Sequence, residues 1–81
     1  MNQRDVDQII EIVKKVTHNS RVDINSTDKS VEGWDSLAYL LIAEKIEELF
    51  NIAINNENID KFNSIQSVLE MINENKGNLN V

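Results

Sequence analysis

With 81 residues, a net charge of −6 and 41% apolar residues, the chain suits one small domain with a modest core; at this size only about 60% of the unfolded surface is buried, which excludes a deep enzymatic cleft. It has no cysteine, so neither a disulfide framework nor a thiolate metal site can hold it together, and stability has to come from packing. The acidic balance argues against nucleic acid and anionic membranes and favours basic partner surfaces; no apolar stretch approaches a bilayer span and Met1 to Asp5 lacks signal-peptide features, so no membrane insertion and a cytoplasmic location are expected.

Val6, Ile9, Ile10, Val13 and Val16 recur at three- and four-residue steps. With Asp5 and Asp7 near the start and Lys14 and Lys15 near the end, complementing the helix dipole, they predict a first helix from about Asp5 to Thr17. Residues 18–35 lose that period and collect Asn19, Ser20, Asn25, Ser26, Thr27, Asp28, Ser30 and Gly33. These types compete for backbone hydrogen bonds and predict a long loop, pinned by Val22, Ile24 and Val31. Loops of this length in compact domains are often functional.

A second helix is predicted from Ser36 to about Asn51, with Asp35 as its N-cap. At about 100° per residue, Tyr39, Ile42, Ala43, Ile46, Leu49 and Phe50 fall in one arc of roughly 120°, the expected core face. Leu37, Leu40 and Leu41 fall opposite, interleaved with Glu44, Glu47 and Glu48, and Ser36 stands at the top of that side. Charge follows the same geography. Residues 32–60 hold Glu32, Asp35, Glu44, Glu47, Glu48, Glu57 and Asp60 against Lys45 alone, while the segments on either side of this stretch are balanced.

Ile52, Ala53 and Ile54 form a short apolar connector, and Asn55 and Asn56 open a brief helical turn through about Phe62. Asn63 with Gln66 resembles a capping box for a last helix striped by Ile65, Val68, Leu69 and Ile72. The expected fold is all-α: a four-helix bundle of three main helices and a short third one, with the long loop between helices one and two. Residues 1–75 form the single domain and 76–81 a flexible tail.

The segment Gly33-Trp34-Asp35-Ser36-Leu37 carries the chemistry. It is superficially similar to a G-D-S-L esterase signature, yet a nucleophilic serine needs a base within hydrogen-bond reach. The sole histidine, His18, reads instead as a residue closing the first helix. Calcium fares no better. Asp23, Asn25 and Thr27 alternate as ligands of a calcium loop would, but Asp28 and Trp34 stand where that loop needs its glycine and its bidentate glutamate. Glu44, Glu47 and Glu48 lie on a solvated face, where nothing shifts them toward acid-base work. No metal site is expected. A serine that is itself modified remains, since a hydroxyl at a helix N-terminus is well placed to carry a phosphate ester.

Asp35-Ser36-Leu37, the helix running through Glu47-Glu48-Leu49-Phe50, the Ile52-x-Ile54 connector and the closing helix from Ser64 to Ile72 together resemble an acyl carrier protein. The resemblance spans nearly the whole chain and is strongest from Gly33 to Ile54. It implies that Ser36 receives a 4'-phosphopantetheine arm from coenzyme A through a magnesium-dependent phosphopantetheinyl transferase. The arm's thiol then holds acyl or aminoacyl groups as thioesters, and the chain has no catalytic activity of its own. Asp35, Leu37, Leu40, Leu41, Glu44, Glu47 and Glu48 would form the docking face for the transferase and for loading and processing enzymes with basic surfaces, the carrier acting as a monomer. Trp34, Leu41 and Glu44 depart from the residues common in housekeeping fatty-acid carriers. The first loop also lacks the aromatic that usually lines the acyl cavity, and bulky Tyr39 faces the core. These departures leave fatty acid synthesis and a specialised pathway with short or aminoacyl cargo both open. Trp34 either anchors the loop or stands exposed to a partner. The rival reading is an unmodified helical adaptor that binds a protein through the same acidic, leucine-patched face.

Overall fold

The computed structural model describes residues 3–55 and 58–78. Helix α1 (Gln3–Thr17), helix α2 (Ser36–Phe50), a single 3-10 turn at Ile59–Lys61 and helix α3 (Ile65–Asn78) follow in chain order. Among the described residues there is no strand, and the one bridge is an isolated antiparallel pair, Thr27 with Ser64. The all-α expectation holds, but the four-helix count is corrected to three helices and a 3-10 turn. The reason is local. Asn58 accepts from the Asn55 amide at 2.8 Å and donates to the Ala53 carbonyl at 3.0 Å, side-chain bonds that compete with helix propagation. Asn56, expected to help open that turn, lies outside the described residues.

α1 buries Val6, Ile9, Val13 and Thr17 and packs against both α2 and α3. It ends where the Thr17 hydroxyl donates to the Val13 carbonyl at 2.6 Å and His18 turns left-handed at φ 55°. α2 buries Ala38, Ile42, Ala43 and Ile46, with Tyr39 and Phe50 half-buried against the core. Leu49 corrects the expected face, being 47% exposed in a shallow groove beside Ile12 and Lys15 of α1. Ala38 takes a core place instead, because the incoming loop brings Val31 and Trp34 into the same cluster. Asn51, left-handed at φ 52°, closes α2 with its N–H on the Glu47 carbonyl, a conformation asparagine tolerates well.

Ser64, not Asn63, caps α3: its hydroxyl accepts from the Ser67 amide at 3.0 Å. Gln66, the expected partner of Asn63, instead donates to the Asn25 side chain at 2.9 Å. α3 buries Ile65, Val68, Leu69, Met71 and Ile72. Its backbone continues to Asn78, past the start of the expected tail, whose residues 79–81 lie outside the described residues. No described helix is long and apolar enough to cross a membrane.

The long loop is pinned as expected by Val22 and Val31, whereas Ile24 is 44% exposed. Polar ties do the rest. The Ser26 carbonyl accepts from the Ile65 amide at 3.1 Å, and the Asp28 amide donates to the Asn63 carbonyl at 2.8 Å, so the loop satisfies one of the orphan donors at the start of α3. At its far end Gly33 adopts φ +95°, and a Cβ there would meet the Thr17 carbonyl oxygen at 2.6 Å. Both the backbone region and the contact demand glycine. Gly33→Ala is therefore expected to destabilise the fold by about 2 kcal/mol or more, read as a lower urea midpoint at unchanged slope.

Candidate functional site

Where the loop meets α2, the backbone has three tasks in succession. Gly33 turns it against the end of α1, Trp34 drops into the core at 4% exposure, and Asp35 adopts an extended conformation (φ −99°, ψ −170°) as N-cap. The Asp35 carboxylate accepts from the Ala38 amide at 2.9 Å, and its carbonyl accepts from the Tyr39 amide at 2.8 Å. Trp34 is thus the loop anchor, not an exposed partner contact. With tryptophan held inside and aspartate occupied by the cap, Ser36 begins the helix with its side chain exposed. A helix's first amides lack intrahelical acceptors and its dipole favours negative charge there, so the hydroxyl is placed to bear a phosphate ester.

Ser36 opens onto a cleft of about 520 Å³ lined by Asp28, Trp34, Asp35, Ser36, Tyr39 and Leu40. Histidine is not among these residues; His18 lines a different cleft with Asn19, Ser20 and Arg21, so the structure does not bring the imidazole of a serine–histidine pair to Ser36. Asp23 and Thr27, weighed as calcium ligands, turn to the loop itself. Asp23 accepts from the Asn25 amide at 2.8 Å, and Thr27 accepts from the Lys29 and Ser30 amides at 3.2 Å. Among the described residues no group of three or more acidic, histidine or cysteine side chains is arranged to hold a metal.

Tyr39 forms the cleft's inner wall. Its hydroxyl donates to the Ile59 carbonyl and its ring meets fully buried Phe62 edge-on, centroids 6.2 Å apart at 79°. Burial pushes the phenol above its ordinary range, with the Phe62 backbone opposing the shift and Asp60 and Asp28 adding to it. The indole nitrogen of Trp34 is the contrasting case: it is buried with no hydrogen-bond partner among the described residues. Nothing in the sequence identified that orphan, since burial of tryptophan does not reveal what its N–H meets.

Down the outward side of α2, Leu37, Leu40 and Leu41 are 67%, 59% and 41% exposed, and Glu44, Glu47 and Glu48 are exposed beside them. The structure therefore brings the residues expected for docking onto one surface below Ser36. Two of the acids also have structural partners. Asp35 caps the helix, and Glu47 accepts from the Ile54 amide at 3.1 Å, fastening the connector that follows α2.

Comparison with known proteins agrees with this geometry. Residues 7–72 match the family model described as phosphopantetheine attachment site, a span that includes α2 and nearly all of the buried core. No curated protein and no solved structure matches the chain. Family members are carrier domains without catalysis of their own, and they bear 4'-phosphopantetheine covalently. By its family match over most of its length, this helical chain with a serine exposed at the start of α2 belongs to the phosphopantetheine-attachment family of carrier domains.

Proposed function

We propose that the chain bears its 4'-phosphopantetheine on Ser36, carries short acyl or aminoacyl groups for a specialised pathway, and presents the outward side of α2 to its enzymes. The observation that carries the attachment reading is the exposed Ser36 hydroxyl in the first turn of a helix whose cap, Asp35, is already engaged with Ala38. The residues suit the group: an ester phosphate on this oxygen stands beside helix-start amides, and the adjoining cleft is lined by Trp34, whose buried indole N–H has no acceptor among the described residues. When bound, the arm supplies the thiol that a cysteine-free chain lacks.

Ser36 is the nucleophile in attachment. Its Oγ forms a bond to the coenzyme A phosphorus next to pantetheine, the bond from that phosphorus to 3',5'-ADP breaks, and the hydroxyl proton passes to a base on the transferase. Magnesium on that enzyme neutralises the leaving group. The chain's own task is to hold the oxygen outside the core at a fixed helix end.

Two features support the rest of the reading. Tyr39, tied to Ile59 and set against Phe62, occupies space between α2 and the 3-10 turn and favours a small cargo. The acids Glu44, Glu47 and Glu48 stand in the second half of α2, which has no acid in its first turn and no base in its last. That arrangement opposes the helix dipole, so solubility and stability do not explain it as well as basic partner surfaces do. Leu37, Leu40 and Leu41 then supply contact area, while the glutamates, with Asp35 at the rim, steer encounter.

Incubation with coenzyme A, magnesium and a broad-specificity transferase is expected to add one phosphopantetheinyl group to the wild type and none to Ser36→Ala, read by intact mass. Absence of the gain in folded protein, with an active control carrier, would put the adaptor first. Glu48→Lys is expected to act in opposite directions on fold and function. It should stabilise the apo protein by about 0.3–1 kcal/mol and slow loading at low salt, flattening the salt dependence of the rate. Adding a long acyl chain to the arm-bearing protein should leave the NMR shifts of Tyr39 and Phe62 as they are in the arm-bearing, unacylated form; large further shifts there would contradict the small-cargo reading.

A further inference from the structure

The Trp34 indole N–H is an unusual feature to retain in so small a core. A buried donor without an acceptor costs about 1–3 kcal/mol, and Trp34 is 96% covered with its nitrogen unpartnered. A phenylalanine could supply aromatic packing without that cost. The same tryptophan lines the cleft into which Ser36 opens, so the residue that holds the unused donor adjoins the attachment hydroxyl.

We propose that this cleft is the seat of the neutral amide segment of the pantetheine arm, with the Trp34 indole N–H donating to an arm carbonyl; this rests on attachment at Ser36. The lining distinguishes among the arm's chemical parts. Asp28 and Asp35 are both among the lining residues and make the cleft acidic, which disfavours the phosphate there and leaves it at the helix start. An amide fits where the phosphate does not. Its carbonyl accepts from the indole, and its N–H can be offered to a carboxylate, so each polar group in the cleft finds a complement. The rings of Trp34 and Tyr39 and the Leu40 side chain provide apolar surface for the branched carbon skeleton between phosphate and amide. Leu40 of the same lining is 59% exposed, and because the indole nitrogen is covered in the free protein, seating the arm requires the lining to shift. Seating the arm this way satisfies the orphan donor only in the loaded carrier, so loading stiffens the junction between loop and α2. It also fixes the direction in which the remainder of the arm leaves the protein.

The chain has a single tryptophan, so its indole gives one nitrogen–proton NMR signal. The test compares that signal in nitrogen-15-labelled protein before and after loading with coenzyme A and transferase, with Ser36→Ala treated identically and intact mass taken on each sample. The expected result is a downfield shift of the indole proton and slowed solvent exchange on loading. Nuclear Overhauser contacts from that proton to pantetheine methyl or methylene groups should accompany them, and Ser36→Ala should show no change. A wild-type mass showing the arm in place, with an unmoved indole signal and no contact to the arm, would overturn the seat while leaving attachment intact. No mass gain in folded wild type beside an active control carrier would overturn attachment, and the seat with it.

Discussion

The close approach of Gly33 to the Thr17 carbonyl is the constraint on which the site depends. A side chain there would lie 2.6 Å from a backbone oxygen, so only glycine lets the loop end press against the end of α1. That contact sets the direction of the next residues. Trp34 enters the core, Asp35 turns outward far enough to cap α2, and Ser36 comes out at the first helical position. Were the glycine displaced outward, the tryptophan would lose its place among Val31, Ala38 and the rest of the cluster, and the serine would lose its fixed relation to the helix start. The exposed Ser36 hydroxyl is thus positioned by a glycine contact and a buried neighbour, not by its own side-chain bonds.

The other end of the loop is held by hydrogen bonds instead of by volume. Ser26 and Asp28 join the start of α3 through the Ile65 amide and the Asn63 carbonyl, and Gln66 reaches Asn25. A helix start needs acceptors for its first amides, and a loop crossing that start can supply them. The two economies meet in the cleft, where Asp28 from the tied segment faces Trp34 and Ser36 from the packed one. The candidate serine thus follows directly on a loop that is fastened at both ends.

Much of this was legible in the sequence, and the exceptions have a pattern. Periodicity located all three helices, and the residue types around Asp35 and Ser36 predicted both the cap and the exposed serine, because helix starts are governed by local chemistry. Burial inferred from a helical wheel failed at Leu49 and Ala38, since a wheel has no knowledge of where the neighbouring helix ends or where a loop packs. The cap of α3 moved from Asn63 to Ser64 for a similar reason: Gln66 was claimed by Asn25, a partner 41 residues away. The short third helix shrank to a 3-10 turn because Asn58 bonds its own surroundings. What stayed hidden was set by long-range contact, the unpartnered indole nitrogen above all.

Places where a sequence breaks local rules without structural gain tend to be functional, and α2 breaks them along its whole outward side. Three large leucines are left in water and acids are gathered toward the helix end where the dipole disfavours them. Glu47 recovers part of that cost through the Ile54 amide; Glu44 and Glu48 have no such tie among the described residues. The two departures also compensate for one another. Exposed leucines alone invite self-association, and a rim of like charges repels a second copy while attracting a basic surface. In the docking proposed above, the same side chains would oppose self-association and still leave contact area for a basic partner. For a carrier that docks through this face as proposed, affinity drawn from a few leucines and speed drawn from the charges around them are compatible requirements.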